Sequence, residues 1–481
     1  MQYFVPKHSA GQWLLNSYHN IEGSEKMKTK KKQLDMLNGS IWNKIPLFAL
    51  PVAATAILEQ LFNASDIAIV GNFTGTGKTV AVAAVGANSS IISLIVNLFV
   101  GIALGTNVVI ANAIGRNDKD TVKKAVHTSI VVAVLGGILV SILGEMLAKP
   151  LLSSLHVPDD VFPEALLYLR IYLMGMPVIL LYNFEAAIFR STGDTKTPLL
   201  ALTMSGLLNV LLNLFFVIFL HMTVNGVAIA TVISNAISSI LLFCRLVQTT
   251  EWIHVDWKEL RIERKTFTQI MKIGLPAGIQ TAVFAVANIV IQSAINSLGT
   301  VIMAASSAAY NIEIFAYDVL NSFSQACTTF TGQNYGAGKI KRCRKILFLC
   351  IIEDALATAA AIVLVLLSGK TLLSIFNNDP QVVSFGYTRL LMIFSAYTFS
   401  MLYENMSGYL RGFGISLMPA VLTIIGVCGV RILWILLFFP SHRTLTGILT
   451  AYPLSLSVTA LLILGALLIY RPSEKYRSEK E

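Results

Sequence analysis

Residues 181–198 (LYNFEAAIFRSTGDTKTP) and residues 402–419 (LYENMSGYLRGFGISLMP) follow one skeleton. Leu181 and Tyr182 stand ahead of Arg190, Gly193 and Pro198, and Leu402 and Tyr403 stand ahead of Arg411, Gly414 and Pro419, an offset of 221. The same offset carries Gly115 and its basic turn onto Gly336 and its basic turn, and Leu152-Ser153 onto Leu373-Ser374. Leu50-Pro51 returns as Leu275-Pro276 at an offset of 225, which makes the first outer loop four residues longer in the amino-terminal half. A unit that recurs in the same orientation is a parallel duplication, whose halves are related by an axis along the membrane normal if the chain spans a bilayer.

Hydropathy says that it does. The 481 residues are 55% hydrophobic and 13% charged, with a mean hydropathy of +0.69. Soluble domains carry about 25% charged residues, so an ordinary cytosolic enzyme, a disordered chain and a small disulfide scaffold are all excluded. Twelve apolar runs fall near 45–71, 86–112, 125–148, 165–189, 198–220, 225–247, 270–296, 302–330, 346–367, 384–410, 419–439 and 447–470. The expectation is an all-α polytopic membrane protein: twelve transmembrane helices in two six-helix lobes related by a pseudo-twofold along the membrane normal. Cys244, Cys327, Cys343, Cys350 and Cys428 show no CxxC pair and no zinc spacing, and read as packing residues.

Lysine and arginine set the orientation. With the amino terminus inside, 29 of the 36 lie in inner segments. Only Lys78, Lys149, Lys370 and Arg443 lie in outer loops, and Arg170, Arg389 and Arg431 lie within spans. Positive charge collects on the cytoplasmic side, so both termini are expected there, in a cell (plasma or inner) membrane. The formal charge of +10 therefore marks topology rather than a nucleic-acid partner. The expected organisation is a polar cytosolic tail over 1–40, a lobe over 41–250, a cytosolic linker over 251–268, a second lobe over 269–470 and a tail over 471–481. The tail lacks the apolar core of a signal peptide and reads as loosely ordered. Met27 would serve equally well as a chain start, leaving 1–26 dispensable.

No enzyme motif stands. Gly71-Asn-Phe-Thr-Gly-Thr-Gly77-Lys78-Thr79 has five residues between its outer glycines where a phosphate loop needs four, and it follows a membrane helix, so it reads as a turn. The informative positions are charges inside the spans, each costing about 2.5–3.5 kcal/mol on insertion scales. Glu59 and Asp66 are seven apart in the first span, which at about 100° per residue returns them to within about 20° of each other. Asn209 and Asn213 form an i, i+4 pair in the fifth span. With Thr231 in the sixth, one acid, two amides and a hydroxyl on three helices could line a polar pocket; interhelical glue is the competing use of such amides and hydroxyls. Glu59 could equally face a water-filled cavity. Glu185, Glu313, Asp318, Glu353, Asp354 and Arg431 are read as packing or gating partners.

Asp66-Ile-Ala-Ile-Val-Gly71, Gly101-x3-Gly105-Thr106, Gly115, Arg190-x-x-Gly193-Asp194-x3-Pro198 and Gly226-x3-Ala230-Thr231, in that order and spacing, resemble the multidrug and toxic compound extrusion (MATE) family. The resemblance covers residues 45–470 and points to the prokaryotic branch with an acidic coupling residue in the first helix. It implies a V-shaped exporter of amphipathic, often cationic compounds in exchange for protons or sodium ions, with no other cofactor, no nucleic-acid partner, and a monomer in the bilayer. Asp66, Asn209 and Thr231 match that branch's coupling-ion residues. Asn213 departs from them, because the family has aspartate there. A sodium site wants hard oxygens and negative charge, so losing one carboxylate makes a proton on Asp66 the simpler coupling ion. The acidic pair that another branch carries in the seventh and tenth helices is not evident. Of the rivals, a lipid-linked saccharide flippase of a related superfamily would need a strongly cationic cavity, and a non-transporting receptor would leave the buried acid idle.

Overall fold

The structure is a computed structural model, and it describes residues 34–74, 78–155 and 157–474. The chain-start reading at Met27, most of the amino-terminal tail, the centre of the Gly71–Thr79 turn and the last seven residues lie outside the described residues. The rest is helical. α1 (Lys44–Phe73), α2 (Lys78–Gly115) and α3 (Lys119–Ser154) are followed by α4 (Phe162–Met174) and α5 (Met176–Thr192), then α6 (Lys196–Leu214) and α7 (Val224–Gln248). After the connecting segment come α8 (Arg264–Asn296), α9 (Thr300–Gly336), α10 (Ile340–Phe376) and α11 (Pro380–Gly412). α12 (Leu417–Thr423) and α13 (Val430–Leu437) flank a π-helical stretch over Ile424–Gly429, and α14 (Leu445–Leu449) precedes α15 (Ala451–Tyr470).

Among the described residues ten helical segments are long and apolar enough to cross a membrane, or eleven with α4 and α5 as one bent span. The bend is 51° and falls at Gly175. Pro177, two residues beyond, has no N–H to return to the preceding turn, and such a loss kinks a helix. α9 is as long as its neighbours but too polar for the same test. Its buried side includes Ser306, Glu313, Asp318, Ser322, Thr328, Thr329, Gln333 and Asn334. A helix of that composition is tolerated in a bundle only where other helices cover it, and α1, α2, α10 and α11 do so.

The repeated motif has a local meaning. Arg190-x-x-Gly193 closes α5 with Gly193 at φ +93°, and Arg411-x-x-Gly414 follows α11 with Gly414 at φ +80°. A side chain resists that left-handed conformation, so glycine sits there. Asp194 then accepts hydrogen bonds from the amides of Lys196 and Thr197 and starts α6. The packing repeats as well. α2 lies against α4 and α5 as α9 lies against α11, α7 packs on α4 and α5 as α15 packs on α11, and α1 meets α6 as α8 meets α12.

The two halves meet chiefly along α2 with α8 and α9, and α1 with α9. At the end carrying the basic turns a Cβ on Gly115 would run into the Gln333 carbonyl, and one on Gly336 into the Asn112 carbonyl. These repeat-related glycines let two backbones touch. Thr329 donates to Asn107 (3.0 Å), Gln333 to the Ser191 carbonyl (2.7 Å), and Asn112 to the Gly412 carbonyl (3.2 Å). Among the described residues every hydrogen bond between the halves lies between this basic end and the level of Asn97 and Thr281, near mid-helix. Residues 34–43 are part of that closure and not a loose tail: Asn334 donates to the Met36 carbonyl, and Lys339 to that of Leu37. The segment between α7 and α8 is pinned by the Asp256 amide donating to His127 and the Glu263 amide to Thr128.

Overpacking a tight backbone contact costs about 1–3 kcal/mol. Gly336→Leu is therefore expected to lower the thermal unfolding midpoint of the purified protein, while Gly465→Leu, where a Cβ meets nothing, leaves it unchanged. Equal melting curves for the two variants would refute the contact.

Candidate functional site

Asp66 stands on the part of α1 remote from the basic end and is 5% exposed. Its Oδ1 accepts from Asn213 Nδ2 at 2.6 Å and its Oδ2 from Thr231 Oγ1 at 3.1 Å. Asn213 gives its other amide hydrogen to Asn209 Oδ1 at 3.0 Å, and Asn209 Nδ2 reaches Thr231 at 3.4 Å. The i, i+4 spacing on α6 puts both amides on the side facing α1 and α7. Thr231 is set by α7, where its hydroxyl also lies 2.9 Å from the Val227 carbonyl. The structure thus brings Asp66, Asn209, Asn213 and Thr231 into one hydrogen-bonded cluster. Tyr168 and Tyr172 of α4, stacked with ring centroids 6.2 Å apart, lie within electrostatic reach of the acid.

No lysine, arginine or histidine lies within 4.0 Å of Asp66 among the described residues. The ionised carboxylate would be held by neutral donors alone, and one monovalent cation would neutralise the cluster. Asn213 Oδ1 is buried without a partner. It is the one acceptor of the group not already facing a donor.

Glu59 is not in this cluster. It is half-buried nearer the middle of α1, within electrostatic reach of Arg190 on α5 and Asp318 on α9. That places it where the two halves approach, and Arg190 spans the same gap to Gln325 at 3.4 Å.

The carboxyl-terminal half holds groups that sequence spacing alone did not join. Arg389 makes a two-pronged pair with Glu313, at 2.7 and 3.1 Å, and Asp354 accepts from Asn405 (2.6 Å) and Thr358 (2.7 Å). Their signal in the sequence was each charge's place inside an apolar span. Partners 76 and 51 residues away could be named only from the helix packing.

The MatE family pattern matches residues 51–215 and 276–437, one match in each half. The chain belongs to the MatE family. Its MatE relatives include the probable multidrug resistance protein YoeA of Bacillus subtilis, 24% identical over 451 residues, covering 92% of this chain and 96% of that protein. Another is an FAD transporter of Shewanella oneidensis, 24% identical over 323 residues, covering 66% of this chain and 72% of that one. The fold matches a solved structure described as the outward-facing conformation of a multidrug resistance MATE family transporter, with a TM-score of 0.84, 20% identity, and coverage of 92% of this chain and 99% of that one. As a MatE protein the chain is a polytopic helical transporter and not an enzyme.

Asn213→Leu removes both hydrogen bonds that organise the cluster and leaves Asp66 Oδ1 and Asn209 Oδ1 without a donor. A buried acceptor left unpaired costs about 1–3 kcal/mol. The variant is expected to unfold at a lower temperature than Asn213→Asp at acidic pH, where a protonated carboxyl can still donate one bond. Indistinguishable midpoints would show that Asn213 does not support Asp66.

Proposed function

We propose that the protein exports amphipathic organic compounds, cationic ones among them, across the cell membrane in exchange for a cation bound at Asp66, and that this cation is a proton. Twelve helices in two six-helix lobes, residues 41–250 and 269–470 joined by 251–268, rock about the α2 contacts, with both termini in the cytoplasm. The repeated helix pairings and the 221-residue offset support two parallel lobes. The excess of basic residues at the joined end supports its being the cytoplasmic one. Hydrogen bonds between the lobes stop near mid-helix, which supports a cleft closed inside and parted outside, where Asp66 lies.

The observation that carries the proton is the saturation of the carboxylate. Both Asp66 oxygens already face donors, whereas a sodium ion needs several oxygens turned toward it. Protonating Asp66 removes the charge that holds Asn213 and Thr231 against it and loosens α1 from α6 and α7. Coupling follows if the outward- and inward-facing arrangements hold the proton with different affinity, since a ligand shifts an equilibrium only by its differential affinity. Sodium is the alternative ion, and orphaned Asn213 Oδ1 is the oxygen that a rotated amide would offer it. One proton exchanged for one monovalent cation moves no net charge, so a pH unit would drive about a tenfold gradient of cargo.

Proteoliposomes loaded with a fluorescent organic cation test this, with pH and sodium gradients imposed separately. Wild type is expected to respond to the pH gradient alone, and Asp66→Asn to neither gradient while still equilibrating cargo slowly. Drive by sodium at equal pH would replace the proton with sodium. Intact gradient-driven transport by Asp66→Asn would remove the acid from the coupling step.

A further inference from the structure

The carboxyl-terminal half carries a charge that no carboxylate pairs with among the described residues. Arg431 stands on α13 directly beyond the π-helical stretch Ile424–Gly429, and is 5% exposed. π-Turns recur at functional sites because they re-aim the residues around them. The guanidinium lies over the Tyr452 ring at 4.3 Å, its Nε donates to Ser455 Oγ at 3.1 Å, and its Nη1 to Asn288 Oδ1 at 3.3 Å. That leaves Nη2 and one Nη1 hydrogen without a protein acceptor among the described residues. No carboxylate lies within 4.0 Å of it among them either. The nearby Arg389, 5.9 Å from the same Tyr452 ring, is already matched by Glu313. At contact distance two cations and one anion therefore meet around Tyr452, and Arg431 is the one left without a carboxylate among the described residues; Asp318 lies farther off, within electrostatic reach of Tyr310.

Burying an unmatched guanidinium in a bilayer is costly, and a planar fork of donors fits an oxyanion. Asn288 and Tyr310, which lie beside Arg431 and Arg389, are both exposed. Arg431, Asn288, Tyr310 and Tyr452 all lie toward the helix ends remote from the basic turns. That is the part of the molecule where, among the described residues, no hydrogen bond joins the halves, and Asp66 of the other half lies there too.

We propose that Arg431, backed by Tyr452 and Asn288, binds an anionic oxygen group of the exported compound, a carboxylate, sulfonate or phosphate, so that the cargo includes amphipathic anions and zwitterions. The proposal rests on the export reading for what the site is used for, but not for what it binds. Aromatic rings at Tyr310 and Tyr452 supply the surface for the apolar body of such a compound, and Arg431 its anchor.

Two dansyl dyes of opposite charge, dansylglycine (a carboxylate) and dansylcadaverine (an amine), separate charge from apolar bulk. Binding is read by fluorescence titration of the full-length protein in neutral detergent. Wild type is expected to bind dansylglycine saturably. Arg431→Gln should weaken dansylglycine about tenfold and dansylcadaverine less than twofold, and Arg431→Lys, which keeps the charge, should fall between. No saturable dansylglycine binding by wild type, or equal weakening of both dyes, overturns the proposal. Wild type decides it even if Arg431→Gln does not fold. A phosphate on an anionic lipid offers the same oxygens, and displacement of the dye by short-chain phosphatidylglycerol at equal concentration would reassign the site to lipid and overturn the cargo claim. Asp66→Asn is expected to abolish gradient-driven movement of dansylglycine yet leave its binding unchanged. Transport surviving in that variant would fault the coupling reading and leave the Arg431 site standing.

Discussion

An ionised side chain inside a bilayer must be met by an opposite charge, by hydrogen-bond donors or acceptors, or by water, because hydrocarbon offers none of these. That requirement sorts the in-span charges of this chain. Arg389 and Glu313 answer each other directly, and Arg411 stands 4.0 Å from Glu404 with Gln280 as a second partner. Asp66 and Asp354 are answered by neutral amides and hydroxyls, which can hold a carboxylate charged or let it take a proton without breaking an ion pair. Arg431 is only partly answered. Groups with fixed partners stiffen the bundle, and the imperfectly answered ones are where an exchangeable ion or a cargo can complete the set.

The same reasoning applies to the seam between the two halves. Their contact is made of small residues and of side chains donating to backbone carbonyls, such as Gln333 to Ser191 and Asn112 to Gly412. Each such bond is worth about 0.5–1.5 kcal/mol net, because water replaces it once the surfaces separate. A seam of interlocked leucines would instead expose a large apolar area to water on opening, at about 25 cal/mol per Å². Close backbone approach and modest hydrogen bonds make a seam whose separation costs little apolar exposure.

Much of this was legible in the sequence because it follows from period and position. The Arg-x-x-Gly-x4-Pro skeleton encodes a helix end, a left-handed turn and a new helix, and its return after 221 residues exposes the duplication. Asn209 and Asn213 share a face by helical spacing alone. What the sequence withheld depends on how helices cross. The 51° bend at Gly175 moves α4 out of line with α5 and brings Tyr168 and Tyr172 toward Asp66. Glu59, on the same helical face as Asp66 by arithmetic, faces Arg190 and Asp318 instead, since about two turns of height on α1 exchange α6 for α9 as its neighbour. Arg389 and Arg431 lie on different helices, and their meeting over one tyrosine has no local signature.

Duplication gave the halves one scaffold, and the charges were then divided between them. At the repeat offsets Asp66 corresponds to Ile291, Thr231 to Tyr452 and Val210 to Arg431. In the amino-terminal half the polar group between the first, fifth and sixth helices is an acid with amide and hydroxyl partners. In the other half the corresponding helices carry a guanidinium stacked on an aromatic ring. A symmetric pair of acids would place two anions across one cleft, where their repulsion opposes its closing around an empty site. An acid in one half and a guanidinium in the other avoid that repulsion.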